Sequence, residues 1–410
     1  MGGAARAMGL QRICMDPGAT LAVALHAGPQ TARALGWSCR GVHGDVCKVW
    51  PIAEPLLVRR LYVCGGLRGI EDLSSVECLD PVAGAWTAVP PMLGSRQGAA
   101  AAAVAGDIYV CGGLEDGLEA LNSAERFRPG CAAWERLPPM ATGREGAVAA
   151  AAGGTFLVCG GSGGEGALGS TECFNPAAGA WSALPDLLVP RHMATAAAIA
   201  GRTYVCGGTN GGDWGVDRAV DADGIEIINS VECLDARLAA RNAHGCFDRQ
   251  WVALPPMSER RAGAGAAGVK GRVIVAGGIG GLGNEPEFLS SVECLDPSTG
   301  VWTALPSMPL ARAYAAVATL SGKMYLCGST CCMNKLVART TQHTVGRQEQ
   351  RTVVRCTRGG EGDEAEAEDN SDLIFLNSVV CFDPASCTWH TAPPMTTPRN
   401  AAVAASVMWS

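Results

Sequence analysis

The sequence predicts an all-β fold, a six-bladed β-propeller with one four-stranded unit per blade, a C-terminal strand closing blade one and a short helical segment in front. Three observations predict it. Glycine pairs begin at Gly65, Gly112, Gly160, Gly207 and Gly277, with a degenerate sixth at Gly328-Ser329, at spacings of 47, 48, 47, 70 and 51 residues. Six tryptophans, Trp86, Trp134, Trp181, Trp251, Trp302 and Trp389, each stand ten residues before an arginine: Arg96, Arg144, Arg191, Arg261, Arg312 and Arg399. Five of those arginines lie 16 residues before the next glycine pair. Different residue types that keep one register at a period near 50 are the signature of a repeated supersecondary unit.

Each repeat reads as four short antiparallel strands. A small-residue strand such as Gly98 to Ala105 follows the arginine, then a turn at Gly106-Asp107 and an apolar strand ending in glycines, Ile108 to Gly113. A third strand follows a serine, as in Ser75 to Leu79, and the fourth carries the tryptophan after a turn such as Asp80-Pro81. Alanine is a poor strand former, yet runs at 99–103, 147–152 and 194–198 occupy the first-strand position. Blades that converge on an axis have room there only for small side chains, and tryptophan belongs further out, where neighbouring sheets diverge. The 19 cysteines mostly share two repeat positions: Cys64, Cys111, Cys159, Cys206 and Cys327 before the glycines, and Cys78, Cys173, Cys233, Cys294 and Cys381 in the third strand. That regularity is expected of small apolar strand residues in a reduced protein; a redox or metal role is the alternative.

These features resemble the kelch family from about Leu56 to Ser410, which implies a propeller with one blade per repeat. Val49 stands where blade one should have its arginine, and Arg399 is followed by eleven residues shaped like a first strand, so the tail is expected to complete blade one and remove its free edge. Residues 1–55 form a separate helix-compatible segment. Leu21 and Leu25, Ala34-Leu35, Ser38-Cys39-Arg40 and Val49-Trp50 resemble the later part of an F-box, although Asp16-Pro17 stands where that family opens with Leu-Pro. The resemblance implies a substrate-recognition subunit of a cullin-based ubiquitin ligase, gripping an adaptor through residues 14–50. A helix that merely packs on the propeller is the alternative, and no BTB domain fits in so short a leader.

In an antiparallel blade the loop before strand one and the loop between strands two and three share a face, so the six arginines and the glycine pairs should lie together. Long insertions fall there too, about 209–229 in blade four and 329–372 in blade six, whereas 236–249 should project from the opposite face. Loops on a rigid scaffold concentrate recognition residues. Arg96, Arg144, Arg191, Arg261, Arg312 and Arg399, with Asp213 and Trp214 of the blade-four insertion, are the candidate contacts for a protein substrate or an acidic peptide segment, through forked hydrogen bonds to carboxylates. The other reading has the arginines tie adjacent blades through backbone carbonyls or the repeated Glu77, Glu125, Glu172, Glu232 and Glu293. The blade-six insertion, a basic half before seven acids between Glu361 and Asp372, is expected to be a disordered, solvated loop, with a regulatory tail docking on the arginine face as the sharper alternative.

The net charge of −7 equals that acidic run, so the body is neutral and lacks the basic excess of a nucleic-acid binder. No apolar stretch reaches bilayer length and Met1 to Pro17 has no signal-peptide core, so no membrane partner and a cytoplasmic or nuclear setting are expected. No cofactor and no enzymatic role are expected. Four of the five tyrosines, Tyr62, Tyr109, Tyr204 and Tyr325, share a second-strand repeat position, and the six histidines show no paired metal-ligand spacing. The glycine pairs precede strands rather than a helix N-terminus, so they are not phosphate cradles. A protein-binding scaffold is therefore the expected function, with a ligase-linked receptor first, a general or cytoskeleton-binding scaffold second and a carbohydrate-active or other propeller enzyme third.

Overall fold

The computed structural model describes residues 59–116, 119–164, 166–211, 226–235, 250–281, 287–332, 352–354 and 373–408. They form six four-stranded antiparallel blades, each running from an innermost strand at the axis outward to the rim. Blade two is Ala100–Val104, Asp107–Cys111, Ala124–Arg128 and Ala133–Leu137; blade three is Val148–Ala152, Thr155–Cys159, Thr171–Asn175 and Ala180–Leu184. Blade four is Thr195–Ile199, Arg202–Cys206, Val231–Asp235 and Trp251–Leu254; blade five is Gly265–Val269, Arg272–Ala276, Val292–Asp296 and Val301–Leu305. Blade six is Ala316–Leu320, Lys323–Cys332, Leu373–Asp383 and Thr388–Ala392. Blade one is closed as the sequence predicts: Val403–Met408 pairs with Arg59–Cys64, from Met408 opposite Arg59 to Val403 opposite Cys64, and Val76–Asp80 and Ala85–Val89 follow outward. The N-terminal segment and the 236–249 extension lie outside the described residues.

Burial explains the sequence of each strand. Second strands are covered on both sides by neighbouring blades, so Leu61–Cys64, Ile108–Cys111 and Phe156–Cys159 are buried at every position and read as continuous apolar runs. Innermost strands alternate, as in Val148–Ala152, with one row against a neighbour and the other along the axis. Ala99, Ala149, Ala196, Ala264 and Ala402 are among the residues that line an axial cavity of about 130 Å³. The strands approach so closely there that a β-carbon on Gly268 of blade five would stand 2.5 Å from the Ala198 carbonyl oxygen of blade four. That crowding overrides alanine's weak strand propensity. The repeat cysteines follow the same logic: Cys111 and Cys159 are free and buried, and burial pushes their thiols up to about 12. The reactive thiolate is correspondingly suppressed.

The first hairpin of blades two to six turns on two residues of positive φ, Ala105-Gly106 in blade two and Ser321-Gly322 in blade six. The turn expected at Gly106-Asp107 therefore sits one residue earlier, because Asp107 already pairs with Val104. A two-residue hairpin that matches strand twist needs positive φ at both central positions.

The tryptophans staple the ring from outside. Trp134 of blade two donates its Nε1–H to the Pro90 carbonyl of blade one at 2.9 Å while its ring rests 5.1 Å from Phe127. Trp181, Trp251, Trp302 and Trp389 repeat the bond to Pro138, Pro185, Pro255 and Pro306, and Trp86 completes the circle on Pro393 at 2.8 Å. Replacing Trp181 by Phe keeps an aromatic ring but removes one staple; the expected loss is about 1 kcal/mol, read as a lower urea midpoint with an unchanged slope.

The blade-six insertion departs from expectation at its base. The second and third strands run on past the glycine position, pairing Ser329 to Cys332 with Leu376 to Leu373, and Thr352–Val354 adds a further strand against Leu373 to Phe375. A register shift between Cys327 and Ser329 lets the ladder continue beyond the bend. Apolar and β-branched stretches at both margins favour pairing over a solvated loop.

Candidate functional site

The six arginines do lie beside the glycine pairs on one face, but their side chains point inward. All are 3% exposed or less. Arg144 donates from Nη1 to the Gly160 and Ser170 carbonyls, each at 2.9 Å, and from Nη2 to Ser170 Oγ and Glu172 Oε1, each at 2.9 Å. Arg96 with Glu125, Arg191 with Glu232, Arg261 with Glu293 and Arg399 with Glu77 repeat the arrangement. In blade six Val380 holds the glutamate register, and Arg312 Nη1 meets the Gly328 carbonyl at 3.4 Å. Each glutamate reaches back to the preceding blade, as Glu172 does to the Ala141 amide at 2.8 Å. The arginines expected as contacts for an acidic partner are thus blade-to-blade ties, since guanidiniums buried against carbonyls and a carboxylate lie out of a ligand's reach.

The glycine pair makes room for the tie. Gly65 has φ +63° and its missing β-carbon would stand 2.5 Å from the Arg96 carbonyl oxygen, to which Gly66 donates its N–H at 2.7 Å. Burial pushes the Glu77 carboxyl up, but hydrogen bonds from Thr396 and the adjacent Arg399 charge outweigh that and hold it below the ordinary carboxylate range. A carboxylate depressed in the folded state adds stability above its unfolded pKa and loses it as pH falls through the folded value. Acid should therefore loosen the seam between blades six and one: unfolding free energy is expected to fall between about pH 5 and pH 2, with a shallower slope in Glu77→Gln, both read from urea titrations at each pH.

Above the alanine-lined cavity, the loops leading into the six blades join in a closed ring of backbone hydrogen bonds. Gly98 donates to Ala401 at 3.0 Å, Ala401 to Tyr314 at 3.1 Å, Tyr314 to Gly263 at 2.8 Å, Gly263 to Met193 at 2.8 Å, Met193 to Gly146 at 3.0 Å and Gly146 to Gly98 at 2.8 Å. All six have left-handed φ, from 49° at Ala401 to 60° at Gly146. A β-carbon in that conformation costs about 1 kcal/mol. Met193, Tyr314 and Ala401 bear it.

The side chains at this mouth break the six-fold pattern. The positions before the collar are Gln97, Glu145, His192, Ala262, Ala313 and Asn400. His192, 1% exposed, meets Glu145 Oε2 through Nε2 at 2.5 Å. Its Nδ1 is buried and has no hydrogen-bond partner among the described residues. Glu145 keeps 17% of its side chain exposed and reaches over Gly98, where a β-carbon would come within 2.7 Å of Oε1. Tyr314 covers Gly263 and donates its hydroxyl to Met193 Sδ at 3.3 Å. Burial raises the Tyr314 phenol, and the Glu145 charge raises it further.

Around the mouth the loops of blades one and two carry Glu71, Asp72, Glu115, Asp116 and Glu119 against one cation, Arg68, which pairs with Glu71 at 2.5 Å. Asp72 accepts the Asp116 amide at 2.7 Å, joining the two loops. Ile70, at the tip of the first, is 94% exposed. Asp213 and Trp214 lie outside the described residues. Sequence reasoning missed Glu145, His192 and Tyr314. The signal for Glu145 and His192 was a position directly after an otherwise constant arginine that reads Gln, Glu, His, Ala, Ala and Asn in turn; for Tyr314 it was the next position, which reads Gly, Gly, Met, Gly, Tyr and Ala.

The kelch motif matches residues 59–93, 95–141, 143–188, 190–258 and 260–309. The chain is 39% identical over 77 residues to the influenza virus NS1A-binding protein homolog of Mus musculus, covering 19% of this chain and 11% of that one. It is 24% identical over 174 residues to beta-scruin of Limulus polyphemus, covering 42% of this chain and 15% of that one. An F-box/kelch-repeat protein of Arabidopsis thaliana is 31% identical over 106 residues, 25% of this chain and 35% of that one. The chain thus spans between about a tenth and a third of the length of these relatives. The solved structure of YjhT superposes with a TM-score of 0.53 at 18% identity, over 65% of this chain and 89% of that one, a likeness of fold.

Proposed function

The chain belongs to the kelch-repeat family, and from that premise we propose that it is a protein-binding platform whose arginine face holds a substrate for a cullin-based ubiquitin ligase. One observation carries the platform reading: the described bases of the long insertions, at Thr209 and Ile227 in blade four and Thr330 in blade six, lie on the same face as the charged loops of blades one and two, around a hydrogen-bonded collar. Such a scaffold presents variable loops with little ordering cost on binding. The ligase link is supported by the F-box-like residues at 14–50, which lie outside the described residues, and by a relative whose name pairs an F-box with kelch repeats.

Affinity capture from cell extract tests both levels with three proteins: the full chain, residues 56–410, and a full chain whose 67–72 and 114–120 loops are replaced by Gly-Ser turns. Loss of cullin-ligase components on truncation, with other partners retained, supports the receptor. An unchanged partner set leaves a general scaffold. A partner set indifferent to loop replacement sinks the platform reading.

A further inference from the structure

We propose that the axial mouth is a socket for a basic side chain, an arginine guanidinium or a lysine ammonium of a protein partner; this rests on the platform reading and names the chemistry at its centre. The blade ties consume the repeated arginines, so the sign of the face is set by what remains exposed. At the mouth that is one carboxylate, Glu145, and on the neighbouring loops of blades one and two acids outnumber cations five to one among the described residues. The tie glutamates each have a guanidinium partner, whereas Glu145 has an imidazole.

The imidazole is not the forked cation of a tie. His192 turns one ring nitrogen, Nε2, to orient Glu145, and the described residues place no acceptor at its buried Nδ1. Neighbouring positions around the ring add amide acceptors, Gln97 and Asn400, and Asn400 Oδ1 has no partner among the described residues. A guanidinium brings five N–H donors and an ammonium three, enough to engage the carboxylate and an amide together. On the far side Tyr314 and Met193, fixed to each other and held in left-handed backbone, offer an aromatic face and a polarisable sulfur to a cation and its methylene stem. Strained backbone at two large side chains fits positions retained for contact. An acidic group would meet Glu145 and the acidic loops and be repelled, which reverses the polarity that the arginine pattern suggests.

The test uses the full chain and the peptide acetyl-Gly-Ser-Arg-Ser-Gly-amide, with lysine, citrulline and glutamate counterparts, read by saturation-transfer NMR at physiological salt. The arginine and lysine peptides are expected to bind with the strongest transfer at the side-chain methylenes, and the citrulline and glutamate peptides several-fold more weakly. Glu145→Gln, which keeps a partner for His192, should weaken arginine-peptide binding about tenfold or more. Equal binding of the arginine and citrulline peptides to the wild type overturns the proposal even if Glu145→Gln fails to fold, and so does an affinity unchanged in a folded Glu145→Gln. Should Glu145→Gln capture cellular partners as well as the wild type while the loop-replaced chain does not, the socket falls and the platform stands.

Discussion

Removing residues 402–410 is expected to abolish cooperative unfolding of the propeller. The deletion takes away the innermost strand of blade one, leaving Leu61 and Val63, both 0% exposed, without the backbone partners they have on Val403–Met408. Buried N–H and C=O groups that lose partners must find water, which requires the core to open. Ala405 and Val407 also pack between blades one and two beside Tyr62, Ile108 and Phe127, so the loss reaches the next interface. Arg399 and the Trp86 staple remain in the truncated chain, yet they tie a blade that has lost its axial wall. Thermal melting by near-ultraviolet circular dichroism, with limited proteolysis after Arg59 and Arg60, reads the result. A truncated chain that melts within about 2 °C of the full one would show that the closure carries no stability.

Replacing Arg144 by Ala is the second large effect, an expected loss of about 3–5 kcal/mol. The size follows from what is stranded: Glu172, 5% exposed, keeps the Ala141 and Thr142 amides but loses its countercharge, the Gly160 carbonyl loses its Arg144 donor, and the Ser170 carbonyl is left with the Gly160 N–H alone. Arg144→Lys should recover only part of this, because an ammonium cannot reproduce the fork that meets Ser170 and Glu172 together. Adding Glu172→Gln to Arg144→Ala should cost less than the sum of the single changes, since the second substitution removes the stranded charge. Strict additivity in urea unfolding would mean that the pair does not act as one unit.

The same residues show how far the sequence could be read. A tryptophan ten residues before an arginine and a glycine pair 16 residues beyond it announced the blades, their number and the closing strand, because each landmark occupies one place in a repeated local geometry. The ties themselves were half legible. Repeat glutamates could be named as partners, but whether Arg191 faces a ligand or Glu232 depends on burial, and burial is set by the neighbouring blade. The collar was not legible at all. Nothing local marks Met193, Tyr314 or Ala401 as left-handed; each is held there by a hydrogen bond from or to a residue about 50 or more positions away.

Periodicity by itself determined the architecture, since a strand's pattern of apolar, small and turn residues reports the face that it must bury. The polarity of the face that carries the glycine pairs was decided only in three dimensions. Closing the ring buries every repeated arginine, five of the six against a glutamate, and hands the exposed surface to residues that differ from blade to blade, among them Glu145. Charge counts along a chain do not change on folding. Which of those charges water and a partner can reach does, because desolvation and pairing act through contacts between residues far apart in sequence.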